Sequence, residues 1–357
     1  MKRILVTGAG GSPSTNFVRS LRAAKENFFL VGVDCDKFYL ARAETDLKYL
    51  VPKASEPDYI DVLNHIIEKH NLEFIHIQND VEMLQISRLR DKLHIKTYLP
   101  KKETVEICQN KFDSFKFWKK AGIKQPETMM LNNEDDLKIA FDILGKKVWI
   151  RDITGAGGRG SIAIDNFKTA KSWLDFKKGW GIYTAAECLS PISVTWQSIW
   201  KDGELVVAQG RKRLYWELSK LAPSGISGAT GAGVTFSVSV LDKIAEKAVL
   251  AIDKKPNGIF SVDLAYDNQG IPNPTEINIG RFFTTHEFFT KAGLNMPYIF
   301  VKLAYDEPLP KIDKKLNPLK EGLVWIRGLD FIPVLTNTEN INTYENELKK
   351  LRELIKK

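Results

Sequence analysis

The chain has 357 residues, 43% of them hydrophobic and 27% charged, with a formal net charge of +8. That balance excludes wholesale disorder, its length suggests two or three domains of roughly 100–200 residues, and no apolar run approaches the ~18 residues of a membrane span. Lysines are dispersed, and even the clusters at 311–320 and 349–357 are interleaved with acids, so the charge reads as solubility plus an anionic small ligand rather than nucleic acid.

Lys2 to Thr7 reads as a short apolar strand closed by Gly8-Ala9-Gly10-Gly11. The stretch is too short for the apolar region of a signal peptide. Cys35, Cys108 and Cys188 are odd in number and far apart, which gives neither a disulfide framework nor paired zinc ligands. A cytoplasmic location follows as the expectation. Apolar spacing predicts helices over 14–25 and 59–70, strands over 28–33 and 74–77, a further helix after Asp80, and a last short strand at 97–100. Such alternation implies a parallel sheet covered on both faces.

The pattern changes after Pro100. A helix is expected over 111–121, then strands at 147–152 and 161–165 around a glycine loop. Lys201-Asp202-Gly203 marks one hairpin and Asn268-Gln269-Gly270 a second, with a helix over 241–252 between them. Residues 291–305 read as helical, 323–334 as extended and 344–357 as a terminal helix.

Three motifs carry chemistry. The first glycine turn, with Asp34 closing the next strand, resembles a dinucleotide-binding turn, but the third glycine of G-x-G-x-x-G falls on Pro13. It supports a nicotinamide-dependent oxidoreductase as the alternative from a different class. Gly155, Gly157, Gly158 and Gly160 form the second motif, a loop whose amides could wrap a polyphosphate, with Arg159 adding charge. Ser161 stands where a Walker lysine would be, and the loop joins two strands, so a P-loop is disfavoured. Arg151, on the strand entering the loop, suits a phosphate contact. The third motif is the second hairpin. If it is symmetric about its turn, Asp263 lies opposite Glu276, with Asn278 on the same face. Two carboxylates and an amide oxygen among apolar neighbours suit a hard cation such as Mg²⁺.

With these pieces in order, residues 1–305 resemble the ATP-grasp superfamily, and within it single-module relatives of the carbamoyl-phosphate synthase large subunit. The likeness rests on the α/β front, Asn110-Lys111-Phe112, the loop 155–161, Glu187-Cys188-Leu189, and Asp263 with Glu276-Ile277-Asn278. It implies a Rossmann-like pre-ATP-grasp domain over 1–105 and an ATP-grasp domain over 106–305, with a lid at about 125–190. A C-terminal extension over 306–357 would pack on the ATP-grasp domain.

By that resemblance Lys111 and Arg151 hold the α- and β-phosphates, the loop Gly155 to Ser161 covers them, and Glu187, Cys188 and Leu189 form the adenine hinge. Asp263, Glu276 and Asn278 carry Mg²⁺, with Mn²⁺ as a substitute, and Arg281 steadies the transferring phosphoryl group. The chain departs from the pattern with Arg151-Asp152 for lysine-proline, and with Pro191-Ile192-Ser193 where an acidic ribose contact is usual. The implied activity is a carboxylate–amine ligase using ATP; phosphorylation of bicarbonate or carbamate, as in the synthase itself, is the nearer alternative. Arg211, Arg213, Ser12, Asp80, Glu82, Ser224 and Ser227 are the candidates for the small-molecule carboxylate and amine, and a homodimer is possible.

Overall fold

The alternation at the N-terminus folds as its periodicity requires. Strands β1 (Lys2–Val6), β2 (Phe28–Asp34), β3 (Leu47–Leu50) and β4 (Phe74–His76) make a parallel sheet in the order β3-β2-β1-β4. The structure, a computed structural model, describes residues 1–155, 157–158, 160–329 and 331–356. Successive side chains of β1 point to opposite faces. Leu5 packs with Tyr59, Leu63 and Ile66 of one helix, whereas Ile4 and Val6 pack with Phe17, Val18 and Leu21 of another. Both faces are thereby covered. The expected strand at 97–100 is not formed; Phe74 makes a lone bridge to Lys96, and Pro100, which lacks an N–H, ends any pairing. The chain there crosses into the second domain, where the buried Tyr98 hydroxyl donates to the Trp200 carbonyl.

Strands β5 (Thr128–Leu131), β6 (Val148–Asp152), β7 (Ile162–Ile164) and β8 (Tyr183–Glu187) form a small antiparallel sheet in the order β5-β8-β6-β7. Helices Glu134–Ile143 and Phe167–Lys177 give it a core of its own, built from Leu131, Leu137, Val148, Ile150, Ala170 and Leu174. The large sheet follows: β9 (Ser193–Lys201), β10 (Glu204–Trp216), β11 (Thr230–Phe236), β12 (Gly258–Tyr266), β13 (Pro272–Ile279) and β14 (Val324–Ile326), in the order β13-β12-β9-β10-β11-β14. Helix Ser239–Ile252 buries Leu241, Ala245, Ala248 and Val249 in the core shared with β9 and β12.

Two expectations about the C-terminal third are corrected. The single helix over 291–305 is two, Glu287–Lys291 and Met296–Ala304, because Gly293 takes a φ of +108° and Pro297 opens the second. The extension over 306–357 does not pack on the second domain alone. Its strand β14 joins the large sheet, but helix Thr338–Ile355 lies against the front domain, where Arg352 holds Asp58 at 2.6 Å and Glu56 at 2.5 Å. Among the described residues no helix is long and apolar enough to cross a membrane.

Candidate active site

The small and large sheets enclose a cleft of about 670 Å³. Its two ends differ because strands carry residues in at ~3.3 Å per position. Glu187 pairs with Val148 while Arg151 pairs with Thr184, so the two sites lie about three positions apart along β6 and β8. Trp149, Ala163, Ala186 and Leu189 give the end near Glu187 a largely apolar wall, Cys188 lines it too, and Lys147 also lines the cleft, next to the strand partner of Glu187. Lys111, Arg151, Gly155, Gly157 and Gly158 line the cleft with Asp263 and Glu276. The Glu187 carboxylate accepts from the Glu127 amide at 2.9 Å, which fixes the strand end. Trp216 lines the cleft with the Arg213 guanidinium 3.6 Å above its ring.

The acid hairpin has the register expected of it, with Asp263 opposite Glu276 and Asn278 opposite Ser261. A bulge follows at once, since Leu264 pairs with Pro274 and Thr275 is left over. The bulge turns the Thr275 carbonyl outward, and Arg151 Nη2 donates to it at 2.9 Å, tying the small sheet to the large one. The buried Arg151 Nε has no hydrogen-bond partner among the described residues, which leaves this donor for an anion in the cleft. Burial pushes the Asp263 carboxyl above the usual range, with Arg213 opposing and Glu276 adding to it. Burial acts on Glu276 in the same sense, but Lys111, Arg151 and Arg281 together hold it below the usual range.

Paired acids in this state suit a divalent cation, whose charge would relieve Asp263 without displacing Glu276 from its cations. Among the described residues no three His, Cys, Asp or Glu gather as a metal cluster. Asn278 is less free than its spacing suggests. Its amide nitrogen donates to Asp263 Oδ2 at 3.1 Å and its oxygen accepts from Arg281 Nη2 at 2.5 Å. The Asn278 oxygen thus shares one lone pair with Arg281 and keeps a second.

Lys111 opens helix Lys111–Lys120, and the Asn110 side chain caps it by accepting from the amides of Phe112 and Asp113. That cap fixes where the ammonium points: it donates to the Gly155 carbonyl and lies 3.7 Å from Glu276. In the glycine loop Ser161 bonds the Gly158 carbonyl at 2.7 Å. A Cβ on Gly158 would sit 2.2 Å from the Ile226 carbonyl, and one on Gly228 would sit 2.7 Å from Gly157 Cα. The loop therefore interlocks with residues 217–229, and only glycine permits the approach. Gly160, at φ +81°, lies against the Tyr183 hydroxyl. Arg159, with Ala156, lies outside the described residues.

The remaining candidates divide. Arg213 and Ser224 line the cleft. Arg211 does not; it is fully buried, with its guanidinium 4.4 Å from the Phe283 ring. Arg281 pairs with Asp80 through Nε at 2.7 Å and Nη2 at 3.1 Å, joining β13 to the front domain. Asp80 lines a small pocket with Lys111, Glu276 and Asn278. Ser12 lies apart from the cleft, its hydroxyl 3.3 Å from Arg327 Nη2, and Ser227 turns back to the Glu217 carbonyl of its own loop. His286 is buried beside the Phe283 carbonyl, and burial holds its pKa down to about 4, so it stays neutral.

Glu82 does not join the site either. It is buried in the front domain, accepting from the Tyr59 hydroxyl at 2.7 Å. Burial raises its pKa to about 7, with the Tyr59, Thr7 and Asn79 hydrogen bonds opposing and Asp34 adding. An acid raised in the folded state favours folding below its unfolded pKa, and that stability is lost as pH rises from about 4.3 towards 7. Glu82→Gln is expected to flatten this slope. Thermal melts from pH 4.5 to 8 check it, and equal slopes in both proteins would count against the buried acid.

The N-terminal glycine turn is closed from within. Gly10 N donates to Asp34 at 3.1 Å, Arg42 Nε donates to the Gly10 carbonyl at 2.7 Å, and the Tyr39 carbonyl fills the place of a Gly10 Cβ. Asp34 is thus spent on the turn rather than held out for a ribose.

A front α/β domain followed by a small antiparallel sheet and a large sheet carrying an acid hairpin is the arrangement of an ATP-grasp fold. Residues 4–97 match the family described as PylC-like, N-terminal domain. The chain is similar over 90% of its length to the biotin carboxylase domain of 2-oxoglutarate carboxylase from Hydrogenobacter thermophilus, at 17% identity and TM-score 0.70, covering 73% of that chain. That domain was solved as a dimer with MgADP, ADP and bicarbonate. It is similar over its whole length to N5-carboxyaminoimidazole synthase from Aspergillus clavatus, in complex with ADP and 5-aminoimidazole ribonucleotide, at 14% identity and TM-score 0.67, covering 99% of that chain. L-amino acid ligase from Bacillus licheniformis matches at 12% identity and TM-score 0.65, over 85% of this chain and 74% of that one. A search of the curated proteins found no match.

Proposed function

We propose that the protein is an ATP- and Mg²⁺-dependent ligase that converts a carboxylate to an acyl phosphate for attack by an amine, releasing ADP and phosphate. The observation that carries this reading is the polarity of the cleft: a largely apolar end at Glu187 to Leu189, and Lys111 and Arg151 flanking a half-buried acid pair. A base fits the first end and a polyphosphate the second. The ADP complexes of the structural neighbours, and the ligase among them, support the assignment.

A carboxylate is a poor electrophile, and phosphorylation supplies its leaving group. Phosphoryl transfer gains most from positioning and from neutralising the migrating charge. Lys111 and Arg151 would hold the phosphates from one side, with the Arg151 Nε as an unused donor. The lid amides at Gly157, Gly158 and Gly160 would cover them and exclude water. Asp263 and Glu276 would hold Mg²⁺ (or Mn²⁺), which supplies Lewis-acid neutralisation at the phosphate oxygens. Arg281 would reach the transferred group from its place beside Asp80, and Arg213 would face the acceptor. The acids and amines it joins are small molecules, the location proposed is cytoplasmic, and a homodimer is proposed from the dimeric neighbour.

Thermal shift separates this reading from the nicotinamide alternative. ADP with Mg²⁺ is expected to raise the melting temperature and NAD⁺ to leave it unchanged; the reverse pattern would reject the reading. The lid gives a second test. Glycine-rich loops open readily, so limited proteolysis is expected near residues 154–160 in the apo protein and slower cleavage with a non-hydrolysable ATP analogue and Mg²⁺. Cleavage indifferent to nucleotide would contradict a closing lid.

A further inference from the structure

Thr195 touches the acid hairpin from beneath the cleft rather than lining it. It lies on β9, the strand between β10 and β12, and is the register partner of both Arg211 and Asp263. Its side chain is buried. The hydroxyl lies 2.5 Å from Asp263 Oδ1, 2.8 Å from Arg211 Nη2 and 3.4 Å from Arg213 Nη2. A guanidinium only donates, so the threonine oxygen must accept from the arginines and its single proton must go to the carboxylate. Donor and acceptor capacity are both used, and the direction of each bond is settled.

We propose that Thr195 is a positioning residue for the nucleotide-bound cation, fixing the Asp263 carboxylate in the plane that faces Glu276. Asp263 Oδ1 is held by Thr195 and Oδ2 by Asn278 Nδ2 at 3.1 Å, so the carboxylate is pinned on both sides. The second function of the hydroxyl is separation. Arg213 Nη2 stays 3.9 Å from Asp263 Oδ1, beyond a hydrogen bond, because the threonine occupies the space between them. Arg211 has only threonine hydroxyls as hydrogen-bond partners, Thr195, Thr230 and Thr285, and no carboxylate within ion-pair distance among the described residues. Without the Thr195 oxygen, both guanidinium groups would turn to Asp263 and take up the charge a cation needs.

The inference rests on the proposed nucleotide and cation reading, and the test keeps the two apart. Mn²⁺ is the probe, its binding in the presence of ADP followed by electron paramagnetic resonance on wild type, Thr195→Val and Thr195→Ser. Valine keeps the shape and the strand propensity but removes the hydroxyl; serine restores it. Thr195→Val is expected to weaken Mn²⁺ binding tenfold or more, with metal-free ADP affinity within about twofold of wild type. Thr195→Ser should recover most of the loss. Unchanged Mn²⁺ affinity in the valine variant would overturn the proposal, as would a serine variant that melts like wild type yet binds Mn²⁺ no better than valine. Wild type that binds neither ADP nor Mn²⁺ would overturn the nucleotide reading itself, and this assignment with it.

Discussion

Replacing Glu276 with glutamine is expected to lower ADP formation by on the order of 10³, the scale of losing one charge-neutralising partner in phosphoryl transfer. Asp263→Asn should do the same to turnover, but the two variants should differ in apo stability. Burial and Glu276 hold the Asp263 carboxyl high, so a neutral amide there relieves an unfavourable charge. Asp263→Asn should melt no lower than wild type. Glu276 is held low by Lys111, Arg151 and Arg281, and removing it leaves those cations without their counter-charge. Glu276→Gln should therefore cost about 1–2 kcal/mol, less than a fully buried pair because its side chain is 31% exposed. Metal-free melts and single-turnover ADP formation check both halves. An active Glu276→Gln enzyme would sink the acid-pair assignment.

Arg151→Ala should reduce ADP formation by about 10²–10³, the usual effect of losing one preorganised donor at the transition state. The side chain has two functions, and the variants can divide them. Its Nη2 braces the bulge through the Thr275 carbonyl, while its Nε has no hydrogen-bond partner among the described residues. Lysine supplies charge without the planar fork. Arg151→Lys should keep more turnover than alanine, and Arg151→Gln, which can still reach the Thr275 carbonyl, should be as slow as alanine. If Gln and Lys behave alike, the brace matters more than the charge.

The acid hairpin was legible because its signal is local. Both acids alternate with apolar residues, and the Asn268-Gln269-Gly270 turn sets the register. The bulge at Thr275 was not, since nothing in Pro274-Thr275-Glu276 marks an extra residue. Lys111 and its capping Asn110 could be read from one helix start. Contacts between distant segments could not. The Arg281–Asp80 pair joins residues about two hundred positions apart, and the same guanidinium donates to the Asn278 oxygen, a contact that spacing alone does not reveal. Thr195 is invisible in sequence for a related reason. A threonine in a strand is an ordinary β-former, and its place between Arg211 and Asp263 appears only once three strands are in register. The two helices on the small sheet and the terminal helix against the front domain depended on packing of the same kind.

The central claim is that the carboxylate attacks the γ-phosphorus of ATP. Chromatographic quantification of nucleotides, with candidate carboxylates and amines, ATP and Mg²⁺, tests it most directly. The account predicts ADP and phosphate in equal amounts, one of each per bond formed. AMP with pyrophosphate as the main products would contradict it.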